Sequence, residues 1–187
     1  MFGFAVWNEK EQTLMLARDF FGIKPVYYAE IDGHFVFASE IKSILAFPGY
    51  ERKVNQKALE QYLSFQYSPL EETFFKGIYK LMPGHMLLYK NGSYEIKTYF
   101  KTKLTPGKWN RTTNMDQLRS QLAEILKDSV KHHMLSDVEV GAFLSGGVDS
   151  GYLASASGAD QAFTVGFDEG DRYLSLIHIS EPTRPEP

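Results

Sequence analysis

Apolar positions in the N-terminal half of the chain fall in short runs with strand-like spacing. Phe2-Gly3-Phe4-Ala5-Val6-Trp7, Thr13-Leu14-Met15-Leu16-Ala17, Val26-Tyr27-Tyr28-Ala29 and Phe35-Val36-Phe37-Ala38 each read as a strand, the first with no preceding turn, as if the chain entered partway through a sheet. Asp32-Gly33 between the last pair is a hairpin signal, and the meander order of these runs predicts one antiparallel sheet. Arg18-Asp19-Phe20-Phe21-Gly22-Ile23-Lys24-Pro25 interrupts them as a loop. It is read as a structural turn rather than a binding segment, with Arg18, Asp19 and Lys24 pairing at the surface. Glu40 to Ala46 reads as a short helix ended by Pro48-Gly49, and Asn55 as the cap of a helix with an apolar face of Ala58, Leu59, Tyr62 and Leu63. Phe74 to Tyr99 returns to short strands, broken by Pro83-Gly84-His85 and by Asn91-Gly92, the latter a type I′ turn signal. His85 is read as a loop residue rather than a ligand.

From Lys101 to Thr113 the periodicity is lost among Lys, Thr, Pro, Gly and Asn, which marks a linker over 101–113. Helical spacing then appears: Met115, Leu118, Leu122, Ile125, Leu126, Val130 and Met134 follow an Asn114/Gln117 capping-box pattern. His132 and His133 at the end of this helix diverge by ~100° and cannot chelate one ion together, so they are read as favourable end-of-helix charges. Next, Val138, Val140, Ala142 and Phe143 read as a strand, Leu144-Ser145-Gly146-Gly147-Val148-Asp149-Ser150 as a loop, and Tyr152, Leu153, Ala154 and Ala156 as a helix. Ala162 to Phe167 supplies a second apolar run and completes a strand-helix-strand unit, which requires its two strands to be parallel.

Composition narrows the classes. With 187 residues and 43% hydrophobic positions the chain is globular, of one domain or two small ones; a net charge of -3 without a basic cluster argues against a nucleic-acid surface. No cysteine is present, which removes disulfides, thiolate metal sites and a cysteine nucleophile. No apolar run reaches the ~20 residues of a membrane span, and Met1-Phe2-Gly3-Phe4 lacks the basic start of a signal peptide, so a soluble, cytoplasmic protein is expected.

The candidate chemistry lies in the Leu144–Ser150 loop. A strand-to-helix junction presents unpaired helix N–H groups and a positive dipole end, and the Gly146-Gly147 backbone allows close approach, so phosphate is the expected guest and Asp149 the expected holder of its metal ion. A turn whose glycines serve only packing is the alternative. No Gly-Lys-Ser/Thr follows, so this is not a Walker A loop. The hexad resembles the Ser-Gly-Gly-x-Asp-Ser loop of the ATP pyrophosphatases, which split ATP between its α and β phosphates to adenylate a substrate.

A longer string of motifs is similar to the glutamine-hydrolysing asparagine synthetases: Ala17 to Tyr28, Phe37-Ala38-Ser39-Glu40-Ile41-Lys42, Pro83-Gly84-His85, Ser136-Asp137-Val138, Leu144 to Ser150 and Thr164-Val165-Gly166-Phe167, in that family's order and spacing up to about Tyr173. Met82, Glu139 and Gly151 depart from its usual residues. The resemblance implies a fold of mixed α/β and α+β type: the C-terminal part of an antiparallel N-terminal-nucleophile glutaminase sandwich (1–100), the linker (101–113) and the start of a parallel α/β ATP-pyrophosphatase domain (114–173). It implies that the glutaminase nucleophile and its glutamine-holding residues precede Met1, so no glutaminase catalytic residue is present and the chain by itself is expected to be inactive. It implies that Ser145, Gly146, Gly147, Asp149 and Ser150 hold pyrophosphate and Mg2+, with the main chains of Leu144 and Val165 beside the adenosine and Gly166 also in the ATP/pyrophosphate site. ATP, aspartate and glutamine are the implied small-molecule substrates, with no nucleic acid or membrane partner and a homodimer as a conceivable assembly. Related amidotransferases, β-lactam synthetase-like ligases and a non-catalytic nucleotide-binding remnant stay open as alternatives; a tRNA-thiolating pyrophosphatase fits less well, for want of a cysteine pair.

The tail from Leu174 is of another kind. Leu174-Ser175-Leu176-Ile177-His178-Ile179-Ser180-Glu181-Pro182-Thr183-Arg184 is what a common transposase-based sequencing-library adapter encodes, and 174–187 is read as adapter-derived rather than native.

Overall fold

Two dipeptides set the hairpins of the first unit. In the computed structural model, which describes residues 1–103 and 114–165, Asp32 and Gly33 take φ of 48° and 78°, and Asn91 and Gly92 take 52° and 78°. Both central residues of each turn are left-handed, as a type I′ turn requires, and its twist matches that of the flanking strands. The linker residues 104–113, Gly166, Phe167 and the tail from Leu174 lie outside the described residues. The chain divides into two units, Met1–Thr105 and Pro106–Pro187.

In the first unit, β1 (Gly3–Asn8), β2 (Thr13–Arg18), β6 (His85–Lys90) and β7 (Ser93–Thr98) form an antiparallel sheet in the order β1-β2-β6-β7. A second antiparallel sheet, β4-β3-β5, holds β3 (Tyr27–Ile31), β4 (His34–Ala38) and β5 (Ile78–Lys80). The expected single sheet of the first strand runs is therefore corrected. β2 pairs with the distant β6 rather than with its sequence neighbour β3, because the loop from Asp19 to Pro25 carries the chain from one sheet to the other.

Burial shows why the chain divides this way. Leu16 and Leu87 from the first sheet meet Tyr28 from the second, with Val26 and Leu81 at the sheet ends, in one buried cluster. Tyr28 stacks on Phe35 and Tyr79 with ring centroids 6.1 and 5.6 Å away, while Phe35 lies 4.5 Å from Tyr89. This is the inner layer of a sandwich, built from alternate residues of facing strands. The other face of the second sheet buries Ala29, Ile31 and Ile78 against Ile44 of α1 (Ile41–Leu45). The outer face of the first sheet is different. Phe4 and Val6 on edge strand β1 are 43% and 49% exposed, which leaves an apolar patch along an open sheet edge.

The crossover loop is held by two side chains. Asp19, 3% exposed, accepts hydrogen bonds from the backbone N–H groups of Phe2, Phe21, Ile23 and Lys24 at 2.9–3.2 Å. Arg18 donates to the carbonyls of Lys24, Leu81 and Gly22 at 2.7–2.9 Å. The expected surface pairing of Arg18, Asp19 and Lys24 is thereby replaced: the charges of Arg18 and Asp19 are spent on backbone groups, and Lys24 takes part only through its own N–H and carbonyl. Asn55 caps α2 (Gln56–Phe65) through the Ala58 N–H at 3.3 Å, as expected. The apolar face of that helix is not buried as expected, since only Ala58 is; Leu63 is 74% exposed.

In the second unit, α3 (Met115–His133) is capped by Asn114, which accepts from the Asp116 N–H at 2.9 Å rather than forming the expected box with Gln117. His132 and His133 each bond the carbonyl four residues back at 2.8 Å through Nδ1. β8 (Ala142–Phe143), α4 (Val148–Ser157) and β9 (Ala162–Phe163) follow, with α3 packed on α4. No residue of this unit is buried among the described residues. Among the described residues no helix is long and apolar enough to cross a membrane.

Two expected outcomes follow from this packing. Burial raises the Asp19 pKa, but its backbone bonds to Lys24, Ile23, Phe2 and Phe21 outweigh that and lower it from 3.8 to about 2. A depressed carboxylate pKa stabilises the fold fully above the unfolded value and ceases to do so as pH falls through the folded one, a contribution of about 2 kcal/mol. Urea unfolding should therefore show the unaltered protein losing about 2 kcal/mol more than Asp19→Asn between pH 5 and pH 2; parallel pH curves would remove Asp19 from this role. Amide hydrogen exchange should be slow at Leu16, Ile78 and Leu87 and at least about tenfold faster through α4 and β8, where no buried core opposes local opening.

Candidate functional site

The loop expected to carry the chemistry sits between β8 and α4. β8 is shorter than the strand expected from Val138 or Val140 onward: residues 138–141 are not in a strand. Gly141 packs so closely on the Phe163 ring that an added Cβ would lie 2.5 Å from it, and the ladder starts only beyond that point. β8 and β9 pair in parallel, Ala142 opposite Ala162 and Phe143 opposite Phe163. The Ala142 N–H donates to the Gln161 carbonyl and the Leu144 N–H to the Phe163 carbonyl, both at 2.9 Å. The expected parallel strand-helix-strand arrangement is present, with α4 starting at Val148, one residue before Asp149.

Beyond the ladder, Gly146 takes φ 77°, which a side chain would strain, and turns the chain toward the helix start at Gly147. The first amide bonded back along the helix is that of Gly151, to the Gly147 carbonyl at 3.0 Å. The N–H groups of the first turn, from Val148 to Ser150, therefore lack intrahelical acceptors and gather at the positive end of the helix dipole. Asp149 is exposed in this turn, and among the described residues its carboxylate has no hydrogen-bond partner. Ser145 and Ser150 are joined through their hydroxyls at 3.0 Å.

The remaining candidates flank the loop. Leu144 spends its N–H on the ladder, and its carbonyl accepts from the Thr164 hydroxyl at 2.8 Å. Thr164 thus ties the end of β9 to the start of the loop. That tie was hidden in the sequence, where Thr164 reads as a member of an apolar run and of a resemblance motif but names no partner. Val165 follows Thr164 and is 68% exposed; Gly166 lies outside the described residues. His85, expected in a loop, opens β6, bonding the Pro83 carbonyl through Nδ1 at 2.7 Å and the Thr98 hydroxyl through Nε2 at 2.8 Å. Among the described residues no group of three or more His, Asp or Glu side chains converges as a metal site.

Chemically, the loop can receive an anion on main-chain donors and leave one free carboxylate beside it. Comparison with known proteins bears on both units. Residues 1–100 match the family model described as a glutamine amidotransferase domain, and residues 121–178 the one described as asparagine synthase. Asparagine synthetase [glutamine-hydrolyzing] 1 of Bacillus subtilis is 38% identical over 188 residues, covering 98% of this chain, and the protein named asparagine synthetase [glutamine-hydrolyzing] 3 of the same organism is 31% identical over 93% of it. Amidase chry2 of Gibberella zeae is 34% identical over 82% of the chain and 22% of its own length. A first unit of amidotransferase type joined to an asparagine synthase segment defines the class. The chain belongs to the family of glutamine-hydrolysing asparagine synthetases, and it spans 29% of the length of the two Bacillus subtilis relatives.

The loop geometry makes its own prediction. Gly146→Ala should cost about 1 kcal/mol or more from the left-handed φ, and should leave the urea midpoint of the first unit unchanged. A change in that midpoint would show that the loop's conformation is not local to the second unit.

Proposed function

We propose that this chain is the segment of a glutamine-hydrolysing asparagine synthetase in which the glutaminase domain passes into the ATP-binding domain. The enzyme would amidate aspartate through β-aspartyl-AMP, with ammonia from glutamine and pyrophosphate as the leaving group. The observation that carries the reading is the strand-loop-helix of Ala142 to Ser157, with the unpaired amides of its first turn beside the free Asp149 carboxylate, in a chain whose two halves match amidotransferase and asparagine synthase models. On this reading residues 1–100 are the C-terminal part of the glutaminase domain, 101–113 the linker and 114–173 the start of an ATP-pyrophosphatase domain; 174–187 are left out as adapter-derived. A cytoplasmic setting and a homodimer are compatible with it.

Within the site, Ser145 to Ser150 take the phosphate side of ATP, and the main chains of Leu144 and Val165 flank the adenosine. The donor chemistry fits a magnesium ion, since one exposed carboxylate whose oxygens have no partner among the described residues is what such an ion takes when the remaining positions go to phosphate and water. Bound Mg2+ would neutralise charge on the departing pyrophosphate. The chain's own part is to aim fixed N–H dipoles at that charge before it develops, so that no reorganisation is needed during the reaction.

In an enzyme carrying this segment, Asp149→Asn should lower exchange between pyrophosphate and ATP by at least about tenfold while sparing glutamine hydrolysis. Unchanged exchange would remove Asp149 from the site, and loss of both activities would point to misfolding. The kinship with an amidase favours a second reading, an amide-forming relative of the same architecture acting on another carboxylate. Aspartate-dependent pyrophosphate release separates the two.

A further inference from the structure

We propose that the first unit carries a binding cleft for a small, multiply charged phosphate ester, formed by Lys53, Lys57 and Lys76. The cleft lies within that unit and does not rest on the ATP reading of the second.

The backbone brings these cations together. Val54 and Phe75 form an antiparallel bridge, the Asn55 N–H donates to the Phe74 carbonyl at 2.8 Å, and the Lys76 N–H donates to the Lys53 carbonyl at 2.9 Å. Lys76 is thereby held beside Lys53, from which it is distant along the chain. Lys57 follows two residues after Asn55, the cap of α2. All three line one open cavity of about 690 Å³, together with Val54, Asn55 and Glu72. That volume is in the range of small-molecule sites.

Bonding and charge define the guest. Glu72 is the one carboxylate on the wall among the described residues, and both its oxygens are engaged, accepting from Asn55 Nδ2 at 2.9 Å and from the Gly77 N–H at 2.7 Å. Asn55 is buried and also bonds the Thr73 carbonyl and the Ala58 N–H, so this part of the wall is fixed before any ligand arrives. Lys53 pairs with Glu51 at 2.5 Å. Lys57 and Lys76 have no carboxylate within ion-pair distance among the described residues. Two unpaired ammonium groups on one cavity wall, in a chain of net charge -3, repel each other, and an anion between them reverses the sign of that interaction. An ammonium is a compact charge with three donors and suits phosphate oxygens. Val54 is the one apolar side chain on the wall among the described residues, and no aromatic ring lines it, so a nucleotide base has nothing to stack on. The ligand that fits is compact and polar, with two phosphate groups on a small sugar.

The test titrates fructose 1,6-bisphosphate into this chain without magnesium and follows the backbone amides of Lys53, Lys57 and Lys76 by NMR. Saturable shifts are expected there, with affinity falling at least about fivefold when salt rises about tenfold. Lys57→Ala and Lys76→Ala should each weaken binding about fivefold, while Lys57→Arg and Lys76→Arg should stay within about twofold. Lys127→Ala on α3 makes the same change in net charge and should leave the affinity unaltered. Absence of saturable shifts at these amides overturns the inference. Equal weakening by Lys127→Ala also overturns it, since the attraction would then be one of overall charge, and so does binding that survives the loss of both Lys57 and Lys76. Inorganic phosphate binding as tightly as the bisphosphate would reduce the cleft to a place for an adventitious ion only and overturn the assignment to an ester.

Discussion

The first unit depends on one buried carboxylate. β2 and β3 belong to different sheets, so the chain must leave one layer and enter the other within the few residues from Asp19 to Pro25. A crossing that tight exposes backbone N–H groups to an interior where no ladder strand can reach them, and leaving them unpaired would cost about 1–3 kcal/mol each. Asp19 answers three of them at once, those of Phe21, Ile23 and Lys24, and the N–H of Phe2 ahead of β1 as well. Its own carbonyl accepts from Gly22 and Gly84, and the Tyr99 hydroxyl donates to the Arg18 carbonyl, so the crossover, the loop before β6 and the end of β7 share one polar node. Gly84 is required there: a Cβ on it would meet the Phe100 carbonyl oxygen at 2.4 Å.

The second unit is built on the opposite plan. Its described elements bury nothing, and what fixes them is short-range: the Asn114 cap, a ladder of two residue pairs, the Thr164 tie and the bond between the Ser145 and Ser150 hydroxyls. Such bonds define conformation without contributing the large apolar term that burial gives, at roughly 25 cal/mol for each Å² removed from water. Precise local geometry and low local stability therefore coexist in the stretch that carries the candidate chemistry.

How much of this was legible follows the range of the interactions. Asp32-Gly33 and Asn91-Gly92 announced their hairpins because the preference for positive φ resides in those residues themselves, and Asn55 and Asn114 announced their caps for the same reason. The strand-loop-helix around Gly146-Gly147 was legible because a change of hydrophobic period brackets it. The partition of the strands between two sheets was not, since the pairing of β2 with β6 spans most of the unit and nothing near Leu16 names Leu87 as its partner. Arg18 and Asp19 misled for a related reason: adjacent opposite charges suggest an ion pair, while their partners are backbone groups that only the crossover brings near. At α2 the apolar spacing of Leu59, Tyr62 and Leu63 was real but did not determine burial, because a face is buried only if something covers it.

Asp19 and Asp149 show how one residue type takes opposite roles. Asp19 follows the end of β2 and Asp149 lies in the first turn of α4, and at both places the chain turns and backbone amides become free. At Asp19 the loop folds around the carboxylate until its oxygens are filled, and the group is buried and held ionised by the same bonds. A carboxylate so satisfied has no affinity left for a ligand. At Asp149 the helix carries the carboxylate outward while Ser150, its neighbour, bonds the Gly147 carbonyl. The amides of that turn and the Asp149 oxygens are then left together without partners among the described residues, donors of one sign beside acceptors of the other. An anion accompanied by a cation satisfies both sets at once, which neither a lone phosphate nor a lone metal ion would do, and that is the physical ground on which a nucleotide polyphosphate with its divalent ion is proposed for this loop.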